Sequence, residues 1–412
     1  MSMGLERHFF RHEYGRLVSM LVRRVGVQHL EAVQDAVQSA LLSAVESWSR
    51  GTIPDNPSAW LFRVAYNAFL GEQRQRQRRH ALDRGSHVAH VDEAAPLAFL
   101  AGDVRDDLLR MLFVCCDPML SIESQLALAL KTLCGFDIGE IAKRLFITEA
   151  SAYKRVARAS HRLRQAPLQL HDVDASALVV RLQPVQAVLY LMFTEGYLSS
   201  HADHAIRREL CDEAVRLAQE LAQHPRSAQP ETFALLALMH LQRARLSARQ
   251  DVHGGLLLLE EQDRALWDSD EIQIGLTWLA RSAQGDSFSR YHAEAGIAAE
   301  HCMAATFAET RWQRIVENYT LLEQKAPSAL HTLNRALAVA EWRGPHAALS
   351  LLEGLAPPSW LAGSYLWYAA LADLHRRAGH IELAQSNGDT AFALMPSEAL
   401  RVTLARRLER NL

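Results

Sequence analysis

The stretch from Asp137 to Arg164, DIGEIAKRLFITEASAYKRVARASHRLR, constrains this chain more tightly than any other. Ile138, Ile141, Ala142 and Leu145 share one face at helical spacing. Phe146 and Ile147 interrupt that pattern. Thr148 is then a good N-cap for a second helix, with Glu149 favourable in its first turn. On the second helix Ala152, Val156, Ala159 and Leu163 form an apolar stripe, while Ser151, Lys154, Arg155, Arg158 and Arg162 occupy the opposite face. Between Lys143 and Arg164 there are seven Lys/Arg and one acid, Glu149. A short helix, a turn and a one-sidedly basic second helix form the arrangement that reads the DNA major groove. An ordinary helical hairpin with a solvated face would explain the stripe. It would not explain such a local charge excess in a chain whose net charge is −3.

At 412 residues the chain is too long for one compact core, and several domains are expected. Ala, Leu and Arg dominate over β-branched residues, which predicts an all-α protein. No segment reaches the uninterrupted apolar length of a membrane span, and MSMGLERHFFRHEYGR lacks the apolar core of a signal peptide. These readings predict a cytoplasmic protein without a membrane partner. Cys115, Cys116, Cys134, Cys211 and Cys302 show neither a CxxC pair nor regular spacing, so they read as buried thiols. No metal-ligand spacing, nucleophile motif or phosphate-binding glycine loop is present. The expectation is therefore binding without catalysis: no enzyme activity, no catalytic residues, no cofactor, no metal and no small-molecule substrate.

Charge divides the chain. Residues 1–165 carry a net +4 and the remainder a net −7, which places nucleic acid at the front and protein contacts at the rear. The front begins with amphipathic helices, one built on Phe9, Tyr14, Leu17, Val18 and Leu21. A second runs from Leu30 to Trp48, with Val33, Val37, Ala40, Leu41, Ala44, Val45 and Trp48 on its buried side. Gly51 and Pro54 break the chain, then Asn56 caps a third helix that opens with Pro57. This helix leads into EQRQRQRR, whose arginines and polar neighbours suit contact with a nucleic-acid backbone. Periodicity fades from His80 to Asp103, a linker. A new helical unit starts near Val104, is broken at Asp117-Pro118, and resumes under a Ser121 cap. The front half thus reads as two small modules on a flexible tether, each with a basic helix.

These residues carry a family resemblance. DNPSAWLFRVAYNA with its Arg-rich continuation, and FDIGEIAKRLFITEASAYKRVARA, resemble bacterial sigma factors of the extracytoplasmic-function class. DDLLRMLFVCCDPMLSIESQLALALKTLCGF and LYLMFTEGY are similar to the branch with a long helical C-terminal extension. The resemblance implies a sigma region 2-like module over 1–82, a linker over 83–103, a region 4-like helix-turn-helix module over 104–168 and a C-terminal extension over 172–412. It implies core RNA polymerase and promoter DNA as partners. A helix-turn-helix regulator that binds operator DNA, with a rear domain for dimerisation or sensing, is the alternative. On the resemblance, Asp35, Val37, Gln38, Leu41 and Leu42 would dock on polymerase. Trp60, Arg63, Asn67, Arg74, Arg76, Arg78 and Arg79 would hold the −10 element. Thr148, Glu149, Ser151, Lys154, Arg155, Arg158 and Arg162 would read the −35 element. The chain departs from the family pattern at Ser39, Gly71 and Asp117. Asp117 stands where a His is frequent beside the cysteine pair, which leaves Cys115 and Cys116 as packing residues.

The rear half is helical and repeats loosely. Gly344 and Gly379, like Ala348 and Ala384, recur at about 35 residues, near the tetratricopeptide period. Gly388 falls where that pattern wants an aromatic. A TPR-like or bundle domain follows, with a cytoplasmic regulatory protein as its partner. Glu260, Glu261, Asp263, Asp268 and Asp270 cluster around Trp267 and read as a solvated acidic loop.

Overall fold

The computed structural model describes residues 3–48, 53–84, 106–165, 175–199, 206–251 and 255–395, with side chains described from residue 13 in the first helix and up to residue 78 in the third. Among the described residues all extended regular structure is helical. The one β feature is an isolated antiparallel bridge between Gln250 and Leu256. No helix among them is long and apolar enough to cross a membrane. The chain divides into two compact units, the first running to Met192 and including Gln223–Ser227.

In the first unit α1 (Met3–Val25), α2 (Leu30–Trp48) and α3 (Pro57–Arg84) form a bundle. Leu17, Val18 and Leu21 of α1, Val33, Val37 and Ala40 of α2, and Leu61, Ala65 and Phe69 of α3 are buried in it. The α3 start follows the expected chemistry: the Ala59 amide donates to Asn56 Oδ1 at 3.0 Å, and Pro57 occupies the first turn. The Phe9 side chain lies outside the described residues, as does most of the linker His80–Asp103.

Four shorter helices follow: α4 (Asp107–Cys115), α5 (Ile122–Thr132), α6 (Ile138–Arg144) and α7 (Glu149–Gln165). Asp106 caps α4 through the Leu109 amide at 2.9 Å. The two modules, expected to hang separately on a tether, pack directly on each other. Arg23 of α1 pairs with Asp107 of α4 at 2.9 Å, and Arg164 of α7 pairs with Glu31 of α2 at 2.6 Å. Gly15 lies so close to the end of α5 that a Cβ there would sit 2.0 Å from the Leu133 carbonyl oxygen. Only a residue without a side chain permits that approach.

Helix α8 (Ala175–Tyr197) adds a long-range tie. Its Arg181 meets Asp117 at 2.5 Å and also donates to the Phe113 carbonyl at 3.1 Å. Arg181 lies beyond the boundary near residue 172 expected from the sequence, yet it completes the packing of the first unit. Asp117 therefore has a structural partner in Arg181.

The second unit contains α9 (Arg208–Gln223), α10 (Pro230–Arg243), α11 (Ser269–Ser282), α12 (Arg290–Met303), α13 (Trp312–Lys325), α14 (Ala329–Arg343), α15 (Pro345–Leu352), α16 (Ser359–Ala362), α17 (Tyr365–Arg377) and α18 (Ile381–Leu394). Helix α10 is buried on every side from Thr232 to Leu241, as its apolar sequence dictates. From α10 onward most helices pack chiefly on their sequence neighbours. The turns α14–α15 and α17–α18 are built alike: Gly344 at φ 90° and Gly379 at φ 82° make the reversals, a backbone region that L side chains avoid. Ala348 and Ala384 are buried in the helices that follow.

Candidate nucleic-acid interface

The α6–α7 pair is assembled by local hydrogen bonds that its sequence dictates. Asp137 and Glu140 form a reciprocal cap: the Glu140 amide donates to Asp137 Oδ1 at 2.7 Å, and the Asp137 amide donates to Glu140 Oε2 at 2.8 Å. The turn closes when the Phe146 amide donates to the Lys143 carbonyl and the Ile147 amide to the Ala142 carbonyl. This six-to-one closure needs a left-handed residue after the helix, and Phe146 supplies it at φ 54°. Thr148 then caps α7, accepting from the Ser151 amide at 3.2 Å.

Ile141, Ala142, Ala152, Ala159 and Leu163 are buried between the helices, and Val156 is half-buried. Thr148, Glu149, Lys154, Arg158 and Arg162 are exposed, while Ser151 and Arg155 are half-buried. Several of these side chains already have tasks in the fold. Ser151 receives a hydrogen bond from the Thr148 hydroxyl at 2.9 Å. Arg162 donates to the Met119 carbonyl at 2.7 Å, tying α7 to the loop before α5. Arg155 lies near Glu123, whose carboxyl is held below its ordinary range by hydrogen bonds from its own backbone and Ser121, with Arg155 contributing. Arg158 donates through Nε to the Lys154 carbonyl at 3.1 Å. Glu149, Lys154 and Arg158 are thus open polar groups of α7. Tyr153 on α7 and Phe146 in the turn before it, neither of them in the expected contact set, are 64% and 57% exposed. Both are aromatics off the apolar stripe, the signal that marks them as surface residues.

On α3, Arg63, Asn67, Arg74 and Arg78 are exposed and share a stripe with Gly71, since they recur every three to four residues. A Cβ at Gly71 would meet nothing, so no packing demand explains this glycine. Trp60 is half-buried against Trp48, ring centres 5.5 Å apart, and anchors the start of the stripe. Arg76 departs from the expected group: it points round the helix and pairs with Glu72 at 2.5 Å. Arg79 lies on α3, but its side chain is outside the described residues.

On α2 the expected docking set splits. Val37 is fully buried and belongs to the core, because its neighbours Val33 and Ala40 carry it inward. Leu41 is half-buried, whereas Asp35 and Gln38 are exposed. Leu42 is 66% exposed, and Val45, expected on the buried side, is 46% exposed. Asp35, Gln38, Leu42 and Val45 form one open stripe of polar and apolar groups, the mixture that protein interfaces use.

Two acids of the cluster near Trp267, Asp263 and Asp268, act as caps. Asp263 Oδ1 accepts from the Ala265 amide, and Asp268 Oδ1 accepts from the Asp270 and Glu271 amides. All five cysteines are free, and burial pushes the Cys115 and Cys116 thiols well up, so they stay protonated. Among the described residues no group of three His, Cys, Asp or Glu side chains converges as a metal ion would require.

Comparison with known proteins returns two family matches. Residues 9–79, which span α1–α3 and their basic stripe, match Sigma-70 region 2. Residues 181–283 match a family of unknown function, DUF6596. An uncharacterized protein of Rhizobium meliloti (strain 1021) is 34% identical over 371 residues, covering 89% of this chain and 87% of that one. No solved structure matches.

Proposed function

This chain belongs to the extracytoplasmic-function-like sigma factors, with a Sigma-70 region 2 followed by a long C-terminal extension, and we propose that it directs core RNA polymerase to a defined promoter class. Region 2 supports a role in promoter recognition, and such a domain points to a transcription factor, not a catalyst. The observation that carries the finer reading is the pair of open stripes on the matched bundle. One is basic and polar on α3, the other mixed apolar and polar on α2.

In this reading Asp35, Gln38, Leu42 and Val45 of α2 dock on polymerase. Arg63, Asn67, Arg74 and Arg78 of α3 run along the −10 backbone, where cationic and amide groups hold phosphate and base edges. Helix α7 enters the −35 major groove, with Lys154 and Arg158 on phosphate or base edges and Glu149 available to a cytosine amino group. The half-buried Arg155 and Ser151, and Thr148 as the cap of α7, support the geometry. The rear hairpins, with turns of matching backbone and spacing, support a TPR-like surface for a regulatory protein in the cytoplasm.

Transcription in vitro, with purified core polymerase and this chain on a promoter library, tests the proposal. Initiation at a shared promoter motif is the expected result. Promoter binding without core enzyme, and no initiation with it, would replace this reading by an operator-binding regulator.

A further inference from the structure

Apart from Ala150, Tyr153 and Ala157, every exposed residue of α7 is charged or polar. These three recur at spacings of three and four, so they lie one above another on a single strip of the helix. The strip runs beside Lys154 and Arg158, and it is separate from the buried stripe of Ala152, Ala159 and Leu163. Tyr153 is its largest member. It is 64% exposed, and among the described residues no hydrogen bond, ion pair or ring contact engages it. The α6–α7 fold gives this ring no task.

A single exposed aromatic is ordinary on a protein surface. Tyr153 differs in its company. It stands near the start of a one-sidedly basic helix, between two side chains no larger than a methyl group and next to two cations. The flanking alanines let a flat surface approach the helix backbone closely. In the major groove of B-DNA, charged and amide side chains pair with phosphates and with the polar edges of bases. An apolar ring has one matching group there, the C5-methyl of thymine, and alanine methyls meet that same group. Lys154 and Arg158 suit guanine edges and Glu149 a cytosine amino group. Without the strip, α7 would carry nothing complementary to a thymine methyl.

We propose that Tyr153, flanked by Ala150 and Ala157, is a specificity-determining residue that reads thymine methyl groups in the −35 element. The inference rests on the reading of α7 as the −35 helix, and it names a base that the helix selects. Lys154 and Arg158 supply an attraction to DNA that is largely indifferent to sequence. The ring adds a preference for thymine at one or two positions. Its contact is apolar and does not use the hydroxyl, so phenylalanine can take its place.

The test uses the intact chain bound to core polymerase and a promoter duplex obtained from the library. Each thymine of the −35 element, on either strand, is replaced in turn by deoxyuridine, which keeps every hydrogen-bonding edge and removes only the methyl. At one or two positions the replacement should weaken binding by about four-fold, the effect of one buried methyl group. Tyr153→Ala should lose about the same factor on the thymine duplex and no longer separate it from the deoxyuridine duplex. Tyr153→Phe should keep the wild-type discrimination, whereas Arg158→Ala should weaken both duplexes alike. Equal binding of thymine and deoxyuridine duplexes by the wild type at every position overturns the proposal. So does a −35 element that holds no thymine, or a discrimination that survives in Tyr153→Ala or vanishes in Tyr153→Phe. Failure of the underlying reading has a different signature, since exchanging whole −35 base pairs would then leave wild-type binding unchanged.

Discussion

Phe146 stands at φ 54°, the left-handed region in which a helix C-terminus ordinarily places glycine, and its side chain is 57% exposed. A left-handed L-residue costs roughly 1–2 kcal/mol. Phe146→Gly should therefore raise the stability of the first unit by about 1 kcal/mol in urea denaturation. Equal or lower stability would mean that the exposed ring has contacts that matter. His301 gives a pH signature of definite sign. Its unfolded form takes up a proton near pH 6.5 and its folded form only near 3. The unfolded state thus holds more protons between those limits, so stability is full above pH 6.5 and falls as pH drops toward 3. His240, also lowered by burial, slopes the same way. His301→Gln should flatten part of that acid slope in denaturation curves taken above and below pH 6.5. An unchanged slope would place the histidine in a less buried setting.

The helices themselves were legible, because apolar spacing and caps such as Asn56 and Thr148 are local signals read over three or four residues. The Asp117–Arg181 pair was not, since it joins residues 64 apart with exposures of 3% and 7%, and no local pattern announces it. The same reason hid Arg162, whose donation to the Met119 carbonyl depends on how α7 folds back. Val37 lies on the buried side expected from its spacing, whereas Val45, expected there too, turns outward, because apolar residues cover more of α2 than its one buried face can take. Removing one partner of a buried pair costs about 3–5 kcal/mol. Asp117→Ala should lower first-unit stability by roughly that amount, and a loss under about 1 kcal/mol would show that the pair is not held in solution. On α7, Arg158→Ala should weaken promoter binding evenly across sequences and reduce its salt slope by about one. An Arg158→Ala salt titration that superimposes on wild type would remove this side chain from the phosphate contacts.

For the whole chain, the tie through α8 changes where it can be divided. A protein ending at Leu170 keeps both front modules but loses Arg181, leaving the Asp117 carboxylate buried without its cation. It should melt well below one ending near Ser199, and equal melting would show that α8 is dispensable to the first unit. Gly15 makes a complementary prediction about the two packed modules. Gly15→Ala forces α1 away from the Leu133 carbonyl, so amide hydrogen exchange should accelerate at the end of α5 before it does within α2. The helices from α10 onward, which rest mostly on their immediate predecessors, carry a different consequence. Contacts between neighbours in sequence close short loops, and short loops form fast. Each hairpin of the rear unit can settle while the ribosome is still making the next, so the acidic half should emerge already ordered, step by step, with few long-lived sticky intermediates for chaperones to shield.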